Sequence, residues 1–582
     1  MNAVRPGVGP LGPSTRLAVV ALAAMLSLPF LLPLGIEPIP SFEAEWLTFA
    51  LGAVVIAGLG LGAGWTIPSI ALLPLAFVAV IVVQIAAGSV AQPQLSWLTC
   101  LYLVWAAGLA CAGAWIRGHS RREEVVALLA GCVLAGALIN AVIAGIQAVG
   151  VPAGASWAVL PVYAGRPGGN LGQPNHLASH LVLGVVSLAH LRASGRLGAY
   201  AAMPMLVGLG VALSFTGSRT GWLLVLGLFA GTFLLRRAVG ALTARSWREV
   251  LGTLAAVFLL SDLASGFLRP QGLADASLGR FASGASSLSE RLRIWEGAVG
   301  MFLDSPVTGI GHGQFAAGFF ERASDLAPPI PGVMTANAHS LPLQIAAEFG
   351  LIGLGLGAVF GLLWWRGVAR GRMVSDTPWA LGVAGVILLH GLVEYPLWYA
   401  YFLGPFALAL GLAEGPRLEC ACARAGRFAV AGAGALSALV LLTTAMDYRL
   451  VRAFADGEIA RSGSEDQRAG IDGLAGMFHH SFLAGYAGVG LHRGLELSRT
   501  SLPQKLALST VVVRVFPLPD VAYRHAVLLA MDGDAVAARA WWERAAAVYP
   551  DEAERWRGLG RNLGLPGPWN DIAAFTHAGE DS

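Results

Sequence analysis

The feature that most constrains this chain is its succession of apolar runs, each about the twenty residues that a helix needs to cross the hydrocarbon layer of a bilayer. Roughly thirteen such runs can be drawn, at residues 17–36, 46–64, 68–88, 97–116, 125–149, 174–191, 198–214, 220–235, 249–267, 343–365, 378–392, 396–413 and 428–446. Over 582 residues, 56% of side chains are hydrophobic and 13% charged, with a mean hydropathy of +0.65. That balance lies outside the range of water-soluble domains. In lipid every backbone N–H and C=O must be satisfied within its own segment, so these runs predict an all-α, polytopic membrane protein. The run at 17–36 is long for the core of a secretion signal and is expected to be the first spanning helix.

Charge orders the spans. With Arg5 and Arg16 on the cytoplasmic side, alternate connections hold Arg117/Arg121/Arg122, Arg192/Arg196, Arg236/Arg237/Arg245/Arg248, Arg366/Arg370/Arg372 and Arg417/Arg424/Arg427. Each then falls inside, as the positive-inside rule requires. The same parity puts residues 268–342 and the tail after 447 on the outer face, which in a bacterium is the periplasm. Four regions are expected: an N-terminal membrane region 1–267, a large outer loop 268–342, further membrane helices 343–446, and an outer helical domain 447–582. A net charge of +3 from scattered arginines excludes nucleic acid as a partner. Cys100, Cys111 and Cys132 fall in expected spans and Cys420/Cys422 in a cytoplasmic connection, so no disulfide is expected.

Polar chemistry concentrates between and at the ends of spans. The stretch from Ser289 to Gly350 carries Arg291 and Arg293, a Gly309-x-Gly311-x-Gly313 turn enclosing His312, and His339 at the lip of the next apolar run. Cations and an imidazole at a membrane surface suit an anionic, lipid-borne substrate. Upstream, Gly168/Gly169 and Pro174 mark a loop that runs into a helix, with Asn175 as the expected N-cap. Arg166, Gln173, Asn175 and His176 would add donors for an anion at that helix start, with His180 one turn below His176. Capping and interhelical hydrogen bonding explain the same residues equally well.

Arg219 lies in SFTGSRTGW between two spans, where it either snorkels to the interface or binds phosphate. His390 and Glu394 have helical i,i+4 spacing just before Pro396, a pattern that suits a fixed pair between helices or a substrate contact. Glu43 and Glu45 beside Trp46 form an acidic pair that could hold a divalent cation, or simply a solvated loop with an aromatic anchor; the absence of a second acidic cluster favours the loop. In the tail, Gly533-Asp534 with Ala538, Trp542, Ala545 and Pro550 has the layout of one tetratricopeptide repeat.

Taken in order, these segments resemble the bacterial protein O-oligosaccharyltransferases, relatives of the O-antigen ligases and O-antigen polymerases. The likeness rests on Glu45-Trp46, GNLGQPNHLA (169–178), SRTGW, RLRIW, the glycine turn from Pro306 to Phe315, AHS with His339 followed by Glu348-Phe349-Gly350, and HGLVEYPLWYAYF (390–402). His312 stands where members commonly carry Trp, and Ser340 where they carry Asn. The resemblance implies a glycosyltransferase-C-like membrane fold. It also implies an oligosaccharide donor on a polyprenyl pyrophosphate, an acceptor Ser or Thr on a protein, and catalysis without metal or cofactor. His339 would be the base and Arg219 and Arg291 the phosphate ligands. Arg166, Gln173, Asn175, His176, Arg293, His312 and Glu394 would bind substrate. A ligase acting on the lipid A core, an O-antigen polymerase, and a transporter are the competing expectations.

Overall fold

A computed structural model describes residues 11–35, 37–62, 65–152, 154, 157–162, 165–234, 241–264, 285–323, 334–371, 373–415, 417–420, 425–458 and 464–565. Arg5, Arg236, Arg237, Arg372, Cys422, Arg424 and much of the expected outer loop, at 268–284 and 324–333, lie outside the described residues. In the first part of the chain the helices are α1 (Pro13–Met25), α2 (Phe42–Gly62), α3 (Leu72–Ala86), α4 (Pro93–Gly118), α5 (Arg122–Val149), α6 (Pro174–Ala193), α7 (Ala199–Phe215), α8 (Arg219–Leu234) and α9 (Ala241–Leu263). The segments bearing the glycine turn and the later spans form α10 (Ala285–Asp304), α11 (Phe315–Glu321), α12 (Leu341–Arg370), α13 (Thr377–Gly391), α14 (Ala400–Glu414) and α15 (Ala425–Ala455). The tail adds α16 (Ser464–His480), α17 (Ala484–Gly494), α18 (Leu502–Val513), α19 (Pro519–Asp532), α20 (Ala535–Val548) and α21 (Pro550–Asn562). Among the described residues the one sheet is a three-residue antiparallel pair, Trp65–Ile67 with Leu418–Cys420.

The protein is therefore an all-helical, multi-pass membrane protein. A helix forms at each of the thirteen expected spans. Among the described residues, seven helical segments are both long and apolar enough to cross a bilayer alone; helices 199–215, 219–234, 377–391 and 400–414 are apolar but shorter.

The chain divides into two compact units. The first comprises residues 1–78, 101–286 and 356–442, the second residues 79–100, 287–355 and 443–582. The first unit is cored by apolar side chains from α5, α6, α7, α13 and α14, among them Leu177, Val182, Leu209, Ile387 and Leu412, all fully buried. Two glycines let α4 and α14 meet backbone to backbone. A Cβ on Gly411 would stand within van der Waals overlap of the Ala110 carbonyl, and one on Gly113 would do the same at Leu408.

In the second unit the tail folds as successive helical hairpins. Gly533, at φ +97°, turns α19 into α20, and Asp534 caps α20 by accepting from the Ala537 N–H at 2.9 Å. Ala538, Trp542 and Ala545 are buried. Phe320 of α11 joins the same core, its ring 5.6 Å from Trp541 and 6.2 Å from Tyr549.

Candidate active site

In the first unit, three other segments converge on Asn175 at the start of α6. Its Oδ1 accepts from Ser218 Oγ at 2.7 Å and from Arg166 Nη2 at 3.4 Å, and its Nδ2 donates to Glu394 Oε1 at 3.0 Å. Arg166 Nε also donates to the Thr216 carbonyl at 3.0 Å. Arg166, the SRTGW turn, the start of α6 and the HGLVEYP segment are thus tied together. Arg219, the first residue of α8, is half-buried and follows directly on Ser218.

The expected N-cap of α6 is corrected by two residues. Gln173, not Asn175, caps the helix: its Oε1 accepts from the His176 N–H at 2.6 Å, with Pro174 at the first helical position. Asn175 is thereby released to act as the hub. One turn on, Ser179 Oγ and His390 Nδ1 share a hydrogen bond of 2.8 Å. Each member of the His390/Glu394 pair therefore reaches across to α6, on rungs four residues apart.

His176 is buried among aromatic rings, 4.7 Å from Tyr399 and 5.2 Å from Phe402 between centroids, and its Nδ1 shares a 3.2 Å hydrogen bond with the Tyr401 hydroxyl. His180 stacks on Phe30 and bonds to Asn140. Both are packed as structural rings. Glu45 is also structural: its Oε2 accepts from the Ala400 N–H at 2.6 Å and the Tyr102 hydroxyl at 3.2 Å. A carboxylate at the first N–H of α14 satisfies a donor the helix cannot.

The second unit holds His339, Arg291, Arg293 and His312. His339 is half-buried and has φ +49°, the left-handed region that a side chain with a Cβ rarely adopts. Its neighbour Ala338 is clamped at both ends. The Ala338 N–H donates to Gln344 Oε1 at 2.6 Å, and its carbonyl accepts from Trp295 Nε1 at 3.1 Å. Trp295 lies one turn from Arg291 on α10. The RLRIW motif is thus bonded to the AHS motif.

The glycine turn packs on a kink in α12. Gly309, Gly311 and Gly313 all have positive φ, and Gly350 interrupts the helix at φ +61°. The Ile310 N–H donates to the Ala347 carbonyl at 2.9 Å, and Glu348 Oε1 accepts from the Gly313 N–H at 3.1 Å. Gln84, a lone polar residue in α3, accepts from the His312 N–H at 3.0 Å and donates to the Thr308 and Glu348 carbonyls. His312 is buried, shares a 2.8 Å hydrogen bond with Ser96 Oγ, and burial pushes its imidazole down to about 4. It is neutral at physiological pH and fixed in place.

Within the first unit, then, the fold gathers Arg166, Asn175 and Glu394 next to Arg219; within the second it joins the Arg291 helix to His339. Sequence reasoning missed Gln84, Ser96, Ser218, Trp295 and Gln344. A lone Gln inside the run LAFVAVIVVQIA was a usable signal, because an amide in lipid must find partners. Among the described residues no cluster of three or more His, Cys, Asp or Glu side chains is placed to hold a metal.

Comparison with known proteins bears on this arrangement. The family described as O-Antigen ligase matches residues 204–358, and Protein glycosylation ligase matches 167–191. The family described as Virulence factor membrane-bound polymerase, C-terminal, matches 378–563. A General O-oligosaccharyltransferase of Acinetobacter baylyi is 27% identical over 419 residues, covering 68% of this chain and 70% of that protein. The chain is a glycosyltransferase similar to the O-antigen ligases and protein glycosylation ligases. The O-Antigen ligase stretch takes in Arg219, Arg291, Arg293, His312 and His339, and the Protein glycosylation ligase stretch takes in Gln173, Asn175 and His176. Glu394 and most of the tail fall in the third stretch.

Proposed function

We propose that this protein transfers a preassembled oligosaccharide from undecaprenyl pyrophosphate to Ser or Thr hydroxyls of proteins at the outer face of the bacterial inner membrane, with inversion and without a metal. The acceptor oxygen attacks the anomeric carbon while the bond from that carbon to the pyrophosphate oxygen breaks. Its electron pair leaves with undecaprenyl pyrophosphate. The hydroxyl proton passes to the imidazole of His339. Arg219 and Arg291 take up the charge on the leaving pyrophosphate, since guanidinium makes bidentate, permanently charged contacts with phosphate oxygens. The Asn175 hub holds the Arg219 turn, and Arg293 adds a second cation on α10. The tail, read as a repeat-like helical domain, engages the acceptor protein.

The observation that carries this reading is the clamped, left-handed backbone of His339, bonded through Trp295 to the helix that bears Arg291. Strain of that kind persists where the surroundings over-determine a residue, and it gathers at functional sites. The test is mass spectrometry of envelope glycoconjugates with and without the gene. Loss of a glycan from Ser or Thr of proteins supports protein transfer; loss from the lipopolysaccharide core with protein glycans intact replaces it with the ligase reading. Transfer by the purified protein should withstand EDTA, and rescue of an EDTA-inhibited enzyme by manganese would refute the metal-free step.

A further inference from the structure

The α10 helix has two apolar faces, and among the described residues only one of them is packed. Ile294, Ala298 and Met301 enter a core with Phe315, Phe319 and Ala347. On the other side Leu292, Val299 and Leu303 are 52%, 43% and 66% exposed. Their spacing of seven and four residues places them on one face of the helix, with the exposed Glu296 between Leu292 and Val299 on that same face. Isolated exposed apolar residues are ordinary, whereas several along one helix face mark a surface that something covers.

The chain beyond this face bonds to a membrane helix. Just past the end of α10, the Pro306 and Val307 carbonyls accept from the Leu351 and Ile352 N–H groups at 2.8 and 3.2 Å, and Val307, Leu351 and Ile352 are themselves exposed. These contacts fall where α12 changes character. Before the Gly350 kink it carries the buried polar residues Gln344 and Glu348; after it the sequence LIGLGLGAVFGLLWW is apolar throughout. Those fifteen residues span about 22 Å at 1.5 Å per residue, most of a hydrocarbon core. The exposed face of α10 is thus followed along the chain by Val307 and, bonded to that turn, by Leu351 and Ile352 at the start of the apolar run. Arg293 borders this face on one side and Arg291 on the other, the layout of a helix lying in a membrane interface, and Glu296 within the face is long enough to turn its carboxylate toward the headgroups.

We propose that α10 lies in the plane of the membrane interface with Leu292, Val299 and Leu303 sunk among lipid acyl chains, so that Arg291 rides at headgroup level. There it would meet the phosphates of a lipid-borne donor without lifting the lipid out of the bilayer. Only this last clause rests on the function proposed above.

The test uses the full chain in phospholipid nanodiscs with the photoreactive residue p-benzoylphenylalanine placed singly at positions 299, 303 and, as a control, 290. Glu290 is exposed and lies off that face. Irradiation and mass spectrometry should find phospholipid adducts at 299 and 303 at least fivefold above those at 290. Equal adducts at all three positions, or crosslinks at 299 and 303 to a second protein chain, would overturn the interface. This readout needs no turnover, so it stands apart from the glycosyl-transfer reading. The donor clause is tested by Val299→Asp with Leu303→Asp. The apparent KM for a long polyprenyl donor should rise about tenfold while a short-chain, water-soluble analogue is used as before. An equal change for both donors would remove the donor clause and leave the crosslinking result to decide the interface.

Discussion

Asn175 and the Gly309–Gly313 turn perform the same task by opposite means. Each gathers residues that are remote in sequence, but Asn175 does so with its side chain and the glycine turn with backbone N–H and carbonyl groups. The difference follows from where each sits. Asn175 is in the first turn of a helix packed among other helices, where most backbone groups are taken up by the helices and their caps and side chains do most of the linking. The glycine turn lies between helices, so its backbone is free to bond, and positive φ at three glycines lets it approach the kink in α12 closely. Side-chain hubs can be rewired by substitution, and backbone cradles can be changed only through the residues that support them.

The largest expected effect is at His339. His339→Ala should leave donor binding intact and lower transfer by roughly 10² to 10⁴, because a general base acts only as the acceptor proton moves. Arg291→Ala should weaken donor binding as well, since the pyrophosphate is charged before and during reaction, and Arg291→Lys should recover only part of it. Binding of lipid-linked donor and glycan transfer, both measured in nanodiscs, separate the two. Parallel loss of binding and transfer in His339→Ala would make His339 a phosphate or structural ligand.

Much of this was legible before any coordinates. Hydropathy marked where helices form, because a span must satisfy its own backbone and so writes its length into the sequence. Arg166, Asn175 and Glu394 could be singled out as polar residues at helix mouths, but not joined, since nothing local in Asn175 says that Ser218 and Glu394 are its partners. The cap at α6 was misplaced because Gln173 and Asn175 both suit a position beside Pro174, and the choice depends on which amide another segment claims. Glu45 read as a solvated acid or a cation ligand; its target, the Ala400 N–H, is 355 residues away in the chain. Trp295 and Gln344 looked like ordinary helix residues because their partner is the backbone of Ala338, which carries no sequence signature.

A smaller effect tests whether the Asn175 hub is a matter of donor and acceptor pattern. Asn175→Asp keeps acceptors for Ser218 and Arg166 but sets a carboxylate against the buried Glu394. Transfer should fall by about 10², in line with an uncompensated buried charge contact of a few kcal/mol. Adding Glu394→Gln reverses the polarity of that one bond, so the double variant should recover to within about tenfold of the parent. A double variant no better than Asn175→Asp would show that the Glu394 carboxylate has a use beyond this bond.

The cradle should respond to its supports. Gln344→Ala leaves the buried Ala338 N–H without its acceptor, which costs about 1–3 kcal/mol and relaxes the backbone at His339. About a tenfold fall in kcat is expected with donor binding unchanged, on the same kcal/mol scale. Gln344→Glu keeps an acceptor oxygen for the Ala338 N–H but loses the amide donor to Glu348, so it should restore only part of the loss. Equal losses in both variants would mean that the donor to Glu348, and not the acceptor for Ala338, is what the site needs.

The smallest effect on transfer, and one confined to the tail, comes from acid. A side-chain hub of the same kind appears there: Ser509 Oγ lies 2.8 Å from His492 Nε2 and 2.8 Å from His525 Nδ1, so two neutral rings and one hydroxyl form a buried chain. Burial pushes His492 down to about 3, helped by the nearby Arg524 and opposed by Asp520, and pushes His525 down to about 4. Because both folded values lie below the ordinary 6.5 or so, the unfolded tail binds protons that the folded tail refuses. The stability these rings confer is complete above that value, falls as pH drops through 6.5 toward 4, and stops falling once the folded rings themselves protonate. At pH 5.5 the opening equilibrium of α17, α18 and α19 should be raised about tenfold per ring relative to pH 7.5. Hydrogen exchange of the full chain in nanodiscs, corrected for intrinsic rates, reads this directly. His525→Gln should remove about half of the pH dependence on a logarithmic scale. Exchange in the hub around Asn175 should not follow the same curve, and a tail whose opening is the same at both pH values would show that its histidines are already protonated when folded.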